Sequence, residues 1–306
     1  MDLTSWGRFF IHHKHSEPGH VAIEIGVDAR KPTLVNAFSR SLNDVDHLAI
    51  NYSAATIVIQ STDRPDLIVR EYMLLDEAQY YAKVDQTMDT LIIRAGDRPA
   101  KDKLHIRIEI EVPSTYHQRL EINSVSGTIK LVDLPQLRHL AITSTSGSIA
   151  LSHLKTHSLL IDSVSGAING EQLSATDATI NAVTGNVALA TAYGRYNVHC
   201  DAGALRLIDA HGSGRFNVTS GSAKLAFTTV DGNITAESSA GSVRLQVPRT
   251  LSYRFNLETS IGTLKTPENA HFSNNERRYQ TGAVGDASDL LISMLTVVGS
   301  LVLETH

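Results

Sequence analysis

The chain has a single cysteine, Cys200, among 306 residues, so no intramolecular disulfide framework holds it together. No run approaches the roughly 18 apolar residues that a membrane-spanning helix needs. The first twenty residues place His12, His13, Lys14 and His15 where an export signal has its apolar core, so no such signal is visible. Helical repeats are excluded as well, because no segment carries apolar residues at 3.6-residue spacing over about fifteen positions. The formal net charge is −5, and without clustered positive charge nucleic acid is not expected as a general partner. Nucleophile elbows, phosphate-cradling glycine loops and zincin motifs are all missing. What remains is ordinary globular composition, 42% hydrophobic and 19% charged.

Against that background one pattern dominates. A glycine preceded by a small residue and followed by an apolar-polar-apolar triplet occurs at Gly127, Gly147, Gly166, Gly185, Gly203, Gly221, Gly241, Gly262 and Gly299. Successive gaps are 20, 19, 19, 18, 18, 20, 21 and 37 residues, the last close to two periods. Such a period marks one supersecondary unit repeated many times, which must stack to bury its apolar face. Two residues after the glycines stand Ile129, Ile149, Ile168, Val187, Leu205, Ala223, Val243, Leu264 and Leu301. Five residues before them stand Ile122, Ile142, Ile161, Ile180, Val198, Phe216, Ala236, Leu257 and Met294. Apolar positions spaced by two are the signature of half-buried strands, so each repeat reads as strand, glycine corner, strand, loop.

The third residue before each glycine shares the inward parity and is small or β-branched: Ser124, Ser144, Ser163, Ala182, Cys200, Val218, Ser238, Thr259 and Thr296. Cys200 therefore reads as a packing residue rather than a reactive thiol, and hydroxyls in this column are expected to bond to neighbouring carbonyls. Sequential coils make parallel sheets, and parallel crossovers are right-handed in nearly all cases. The expected fold is all-β, a right-handed parallel β-helix of about 19-residue coils with an irregular N-terminal capping region. At a strand spacing of ~4.8 Å, nine coils would rise about 40 Å.

The expected organisation is an N-terminal tail over residues 1–45 and a β-solenoid over 46–304. Within the solenoid, irregular coils span 46–112, regular repeats 113–266, a polar excursion 267–289 and a C-terminal coil 290–304. Asp28 to Asp44 is expected to form a short helix entered near Pro32, with Leu34, Val35, Phe38 and Leu42 on one face, closing the open end of the column. The run Val112-Pro113 before Gly127 is echoed by Val247-Pro248 before Gly262 at an offset of 135, and both prolines should end a strand.

The segments Ser124-Val125-Ser126-Gly127, Ser144-Thr145-Ser146-Gly147 and Ser163-Val164-Ser165-Gly166, following the strand Ile106 to Val112 with its Pro113, resemble the bacterial β-strand-repeat family of candidate adhesins, a domain of unknown function. The resemblance covers roughly 46–304. It implies a β-helical fold and a cell-envelope setting, and no particular activity. Where that family's repeats commonly place Asp after the glycine, this chain has Thr128, Ser148, Ala167, Asn186, Ala204, Ser222, Ser242, Thr263 and Ser300, so no acidic ladder offers stacked calcium sites.

Candidate chemistry is sparse. Glu237 and Glu258 are the adjacent acids four residues before successive glycines, and read as a solvated pair rather than the paired carboxylates of a glycosidase. His12, His13, His15 and His20 could ligate a transition metal but read as a polar tail, so no metal or cofactor is assigned. Three residues after the glycine, on an outward position, Arg206, Lys224, Arg244 and Lys265 are expected to stack as a basic stripe on four successive coils. Either Asp201, Glu237 and Glu258 neutralise it, or it engages an anionic ligand. The leading functional reading is a non-enzymatic repeat protein that presents a β-helical surface to protein, glycan or an anionic envelope polymer. An intracellular scaffold or regulator of envelope stress is the alternative, and a polysaccharide-active enzyme ranks third. The absent export signal points to the cytoplasm, the family resemblance to the cell surface or envelope.

Overall fold

A computed structural model describes residues 31–98 and 105–306. The described residues form one sheet of seventeen strands, mostly parallel, with a single 3-10 turn at Ala78–Tyr80 and no α-helix. In chain order the strands are β1 (Thr33–Ser41), β2 (His47–Ala54), β3 (Thr56–Thr62), β4 (Asp66–Met73), β5 (Lys83–Thr87), β6 (Thr90–Arg94), β7 (Arg107–Pro113), β8 (Arg119–Ser126) and β9 (Ile129–Val132). They continue as β10 (Leu137–Ser146), β11 (Ile149–Ser165), β12 (Ile168–Thr184), β13 (Val187–Val247), β14 (Tyr253–Lys265), β15 (His271–Asn275), β16 (Tyr279–Val284) and β17 (Leu291–Thr305).

Alternating side chains set the register. Leu120, Leu140, Leu159, Ala178 and Tyr196 lie opposite one another across β8, β10, β11, β12 and β13, at steps of 20, 19, 19 and 18 residues. Two residues on, Ile122, Ile142, Ile161, Ile180 and Val198 form a second ladder, each fully buried. Beyond the glycines Ile129, Ile149, Ile168 and Val187 form a third, also fully buried. Burying each such side chain contributes ~1.5–3 kcal/mol relative to exposure, so the column of like-on-like aliphatics is the main source of stability.

The glycines explain why the rungs approach so closely. All but Gly262 have φ between +113° and +151°, a conformation that L-residues avoid. A Cβ added at Gly147 would overlap the carbonyl of Gly127, one at Gly166 that of Gly147, and one at Gly185 that of Gly166. The corner is therefore a stack of bare backbone in which each rung lies directly on the carbonyl of the next. Ala55 holds this position below Gly127, so the rung formed by β2 and β3 belongs to the same stack although it lacks the glycine.

At both ends the spatial order of rungs departs from chain order. β2 and β3 pair with β8 and β9, 72 residues further along, while β6 and β7 pair on their other side. At the opposite end β17 lies between β13 and β14: Met294 faces Ala236 on one side and Leu257 on the other. The glycine order in space is thus Gly241, Gly299, Gly262, not the order of the sequence. Segment 267–289 supplies the antiparallel hairpin β15–β16, which covers the first half of β14 from Tyr253 to Glu258. Pro113 closes β7 and Pro248 follows the end of β13, and each accepts a turn hydrogen bond from the residue three further on, Tyr116 at 3.0 Å and Leu251 at 3.0 Å.

The helix expected over 28–44 is not formed in its described part. Thr33–Ser41 is strand β1, antiparallel along β4, which is itself antiparallel to β7. Pairing wins because β4 offers an open row of backbone donors and acceptors, and β1 satisfies it while Phe38 packs against the main core and Val35 against Met73 and Tyr80. Leu34, assigned to the apolar face of that helix, is 52% exposed.

This N-terminal end is pinned by Glu71 on β4. Its carboxylate is fully buried and accepts hydrogen bonds from Arg98 Nη2 (2.6 Å), Asn36 Nδ2 (2.9 Å), Tyr52 Oη (3.2 Å) and the Ala82 amide (2.7 Å). The Arg98 guanidinium also donates to the Tyr80 carbonyl and lies over the Tyr52 ring. Burial, with the Glu71 charge beside it, pushes the Tyr52 hydroxyl well above its usual range. The ion pair ties β1, β2, β4 and the chain around 82 and 98 together where the stack ends.

Three substitutions test this packing. Gly166→Ala should destabilise the protein by more than the ~1–2 kcal/mol of left-handed backbone strain alone, because the methyl also strikes backbone. Gly232→Ala, whose added Cβ meets only the Ser213 side chain at 3.0 Å, should be nearly neutral when both variants are compared by denaturant titration. Glu71→Ala leaves the Arg98 charge buried without its carboxylate and should cost roughly 3–5 kcal/mol by the same measurement.

Candidate binding face

In the strand that follows each glycine corner, the third and fifth residues after the glycine turn outward, and these columns build an extended surface feature that carries both shape and charge. Their shape comes from side-chain length. Ala150, Ser152, Ala188 and Ala190 are short, Lys130 stands at one end, and Arg206 and Ile208 stand at the other. Between them lies an open groove of about 530 Å³, with Asn169 and Glu171 supplying polar groups along it. Gly170 leaves out the inward leucine that its neighbours carry, and Leu173 and Leu189 occupy that space.

Past Arg206 the groove continues into a second depression of about 230 Å³ lined by Arg206, Ile208, Lys224, Ala226, Arg244 and Gln246. Arg206, Lys224 and Arg244 therefore do come together. Lys265 does not join them: Val302 of β17 pairs with Arg244 on one side and Lys265 on the other, so the expected four-coil stripe is three cations, a gap, and a fourth. The expected counter-charges also differ. Asp201 accepts hydrogen bonds from His199 (2.9 Å) and Thr219 (3.3 Å), whereas the acid beside the stripe is Glu304, which accepts from Arg244 (2.9 Å) and Gln246 (2.8 Å). Partial burial works against ionisation of Glu304, but the Arg244 and Gln246 hydrogen bonds prevail and hold its carboxyl below the usual range. Among the described residues, Arg206 and Lys224 have no acid at ion-pairing distance.

The insertion of β17 also separates the two acids considered for glycoside chemistry. Leu295 stands between Glu237 and Glu258, so they occupy alternate rungs, about 10 Å apart at ~4.8 Å per rung, instead of adjacent ones. Cys200 is buried, and burial, helped by the Asp201 charge, pushes its thiol up to about 11, as suits packing. Of the inward hydroxyls, Ser124 donates to the Ser126 carbonyl and Thr259 to that of Gly299, while Ser144, Ser163, Ser238 and Thr296 have no such partner. The N-terminal histidines 12, 13, 15 and 20 lie outside the described residues, and no group of three metal-ligating side chains occurs among those described.

A polar cluster that sequence reading missed borders the Arg206 end of the groove. The sixth residue after five successive glycines, Asp133, His153, Gln172, Thr191 and Asp209, has φ of 50° to 54°, or 55° at Asp209, which makes a second corner. At the last of these, Asp209 accepts hydrogen bonds from Thr228 (2.6 Å) and Thr191 (3.1 Å) and meets His211 Nε2 (3.1 Å). His211 Nδ1 meets Thr229 Oγ1 (3.0 Å), and Tyr193 stacks on the imidazole with ring centroids 4.3 Å apart. The repeated glycine-plus-six offset was the signal available in the sequence. His47 with Glu121 (3.1 Å) and His153 with Asp133 (3.3 Å) are likewise paired to acids.

The model of a family described as Toastrack DUF4097 matches residues 45–291. No curated protein matches the chain. Among solved structures, a candidate cell adhesion protein from Clostridium sporogenes is 10% identical over 90% of this chain and 100% of its own, with a TM-score of 0.24. A candidate adhesin from Bacteroides fragilis is 16% identical over 89% and 97%, TM-score 0.44, and one from Parabacteroides merdae 13% over 89% and 95%, TM-score 0.38.

The Asp209 cluster yields a pH prediction. The Thr228 hydrogen bond is the largest influence holding the Asp209 carboxyl below its usual range; slight desolvation opposes it, and Thr191 and His211 add to it. A depressed folded-state value means that this contribution is present above the unfolded carboxylate range and is lost as pH falls through the depressed value. Thr228→Val should therefore raise the Asp209 titration midpoint in a carboxyl-carbon NMR titration, and an unchanged midpoint would refute the assignment.

Proposed function

This chain belongs to the Toastrack DUF4097 family, and we propose that it acts without catalysis, as a β-solenoid that holds an anionic envelope polymer along the face bearing Arg206, Lys224 and Arg244. In this reading residues 46–304 wind as one right-handed parallel β-helix of about 19-residue coils. Pairing steps of 18–20 residues and the strong right-handed preference of parallel crossovers support it. The envelope setting rests on the resemblance of the Ser-Val-Ser-Gly repeats.

The observation that carries the proposal is the uncompensated stacking of Arg206 on Lys224 in a shared depression. Like charges one rung apart, at ~4.8 Å, repel, and a polyanion laid along the column removes that repulsion at successive rungs. The groove from Arg206 back to Lys130, with Ala150, Ala188 and Ala190 along its floor, gives the same polymer a shallow bed in which Glu171 is the one acid, and a further cation at the far end. With glutamates 237 and 258 separated by Leu295, no close carboxylate pair on that column favours hydrolysis.

Calorimetric titration of the chain with polygalacturonate, a linear polycarboxylate, tests the reading. Binding should weaken steadily as salt rises, since exposed charges more than ~10 Å apart are screened at 0.1 M. The double variant Arg206→Glu, Lys224→Glu should lose about tenfold or more in affinity, ~1.4 kcal/mol, with its melting curve unchanged. Equal binding by the variant, or binding indifferent to salt, would sink the proposal.

A further inference from the structure

The outward column that passes through Tyr193 holds an aromatic stack with one place vacant. Lys155 pairs with Ser174, and Ser174 with Tyr193, on successive rungs. His211 lies one coil further, its imidazole 4.3 Å from the Tyr193 ring at an interplanar angle of 11°. The column therefore runs Lys155, Ser174, Tyr193, His211, one residue per rung. Because His211 covers one face of the Tyr193 ring, the other face points toward the rung of Ser174, whose side chain is too short to cover it. Tyr193 is 44% exposed. Two rungs, about 10 Å, separate it from Lys155. A ring inserted at the 4.3 Å spacing of the existing pair would fill the rung between them.

This platform is ordered before anything binds. Both imidazole nitrogens of His211 are engaged, Nε2 with Asp209 (3.1 Å) and Nδ1 with Thr229 (3.0 Å). Asp209 is held in turn by Thr228 (2.6 Å) and Thr191 (3.1 Å). These contacts fix the plane on which Tyr193 rests, and a guest ring that meets a fixed plane loses little affinity to ordering it. Around the vacant place the chemistry is polar. Ser174 contributes a hydroxyl, and the exposed Gln172 stands at the corner of the same rung with φ of 53°. Among the described residues, neither side chain has a hydrogen-bond partner, and Lys155 has no acid at ion-pairing distance.

A guest suited to this place has a flat apolar face for Tyr193, hydroxyls at its rim for Ser174 and Gln172, and an acid for Lys155. The pyranose ring of a uronic acid has all three. A polyphosphate or an acidic polypeptide backbone has no ring face, and a bare aromatic ring leaves Ser174 and Gln172 unanswered. We propose that a pyranose ring of an acidic glycan takes the vacant place between Tyr193 and Lys155. The inference rests on the polymer reading above for the charge of the ligand and adds the polymer's class, a chain of sugar rings. Tyr193 stands three residues beyond Ala190 of the groove lining, around the corner made by Thr191, so the ring site adjoins the groove.

Titrating the full chain with polygalacturonate and with poly-L-glutamate compares two polycarboxylates of which only the first carries rings. Polygalacturonate should bind at least about fivefold more tightly, the factor that one stacked ring face supplies. Tyr193→Ala should remove that advantage. Ser174→Phe, which fills the vacancy with the protein's own ring, should remove it too, with a melting curve no lower than that of the unaltered chain. Thr145→Phe, a ring placed on an exposed residue of the strand before its glycine corner, should bind as the unaltered chain does. Equal affinity for the two polymers, or an advantage that survives either Tyr193→Ala or Ser174→Phe, would overturn the proposal. If neither polyanion binds, the polymer reading fails by itself, and neutral cellohexaose then decides the ring site. Shifts of the Tyr193 and His211 ring signals in NMR that are absent from Ser174→Phe would uphold it, and unshifted signals would overturn it.

Discussion

Everything in this structure depends on the contact of bare backbone at the glycine corner, where each rung rests on the carbonyl of its neighbour with no room for a β-carbon. That contact holds the rungs in register. Once a glycine lies over a glycine, the residue five before it lies over its counterpart, and the aliphatic ladders follow because alternation along a strand is strict. Stacking Ile on Ile and Leu on Leu then excludes water along the whole column. The corner supplies precision, and the ladders supply most of the free energy.

A column built this way has a weakness that its chemistry shows. Any rung of the right parity fits any other, so the ends must be terminated by something that is not a rung. At the start, termination comes from antiparallel strands and from a buried Glu71–Arg98 pair, whose carboxylate accepts hydrogen bonds from four groups drawn from different parts of the chain. At the finish, a hairpin covers one wall and leaves the other wall open. The same interchangeability lets β17 enter between β13 and β14 without disturbing a ladder, as Met294 stacks between Ala236 and Leu257.

That insertion rearranges the surface while leaving the core intact. Inward, one aliphatic replaces another and little changes. Outward, Val302 parts Arg244 from Lys265, Leu295 parts Glu237 from Glu258, and Glu304 is brought to Arg244 from 60 residues away. A binding face on such a protein is thus determined by strand order more than by the residues of any one repeat. The groove has the opposite origin: Ala150 and Ser152 on one rung and Ala188 and Ala190 two rungs on, with Asn169 and Glu171 between them, belong to sequential repeats, and their short side chains sufficed to form it.

The period, the inward columns and the glycine corner were legible from the chain alone, because each rests on interactions among residues within one repeat or between sequential repeats. Alternation and backbone sterics leave their mark at that range. The second corner at the glycine-plus-six position was also written there but unread, since Asp, His, Gln and Thr share no obvious feature until their backbone angles are seen. Tertiary structure alone decided that residues 33–41 pair as a strand, that β2 stacks on β8 across 72 residues, and that the last strand turns back inside the one before it. The physical reason is that parallel edges of equal parity are nearly degenerate in local energy. The choice among them belongs to the whole stack, which lowers its free energy by whichever order leaves the least edge and apolar surface in water.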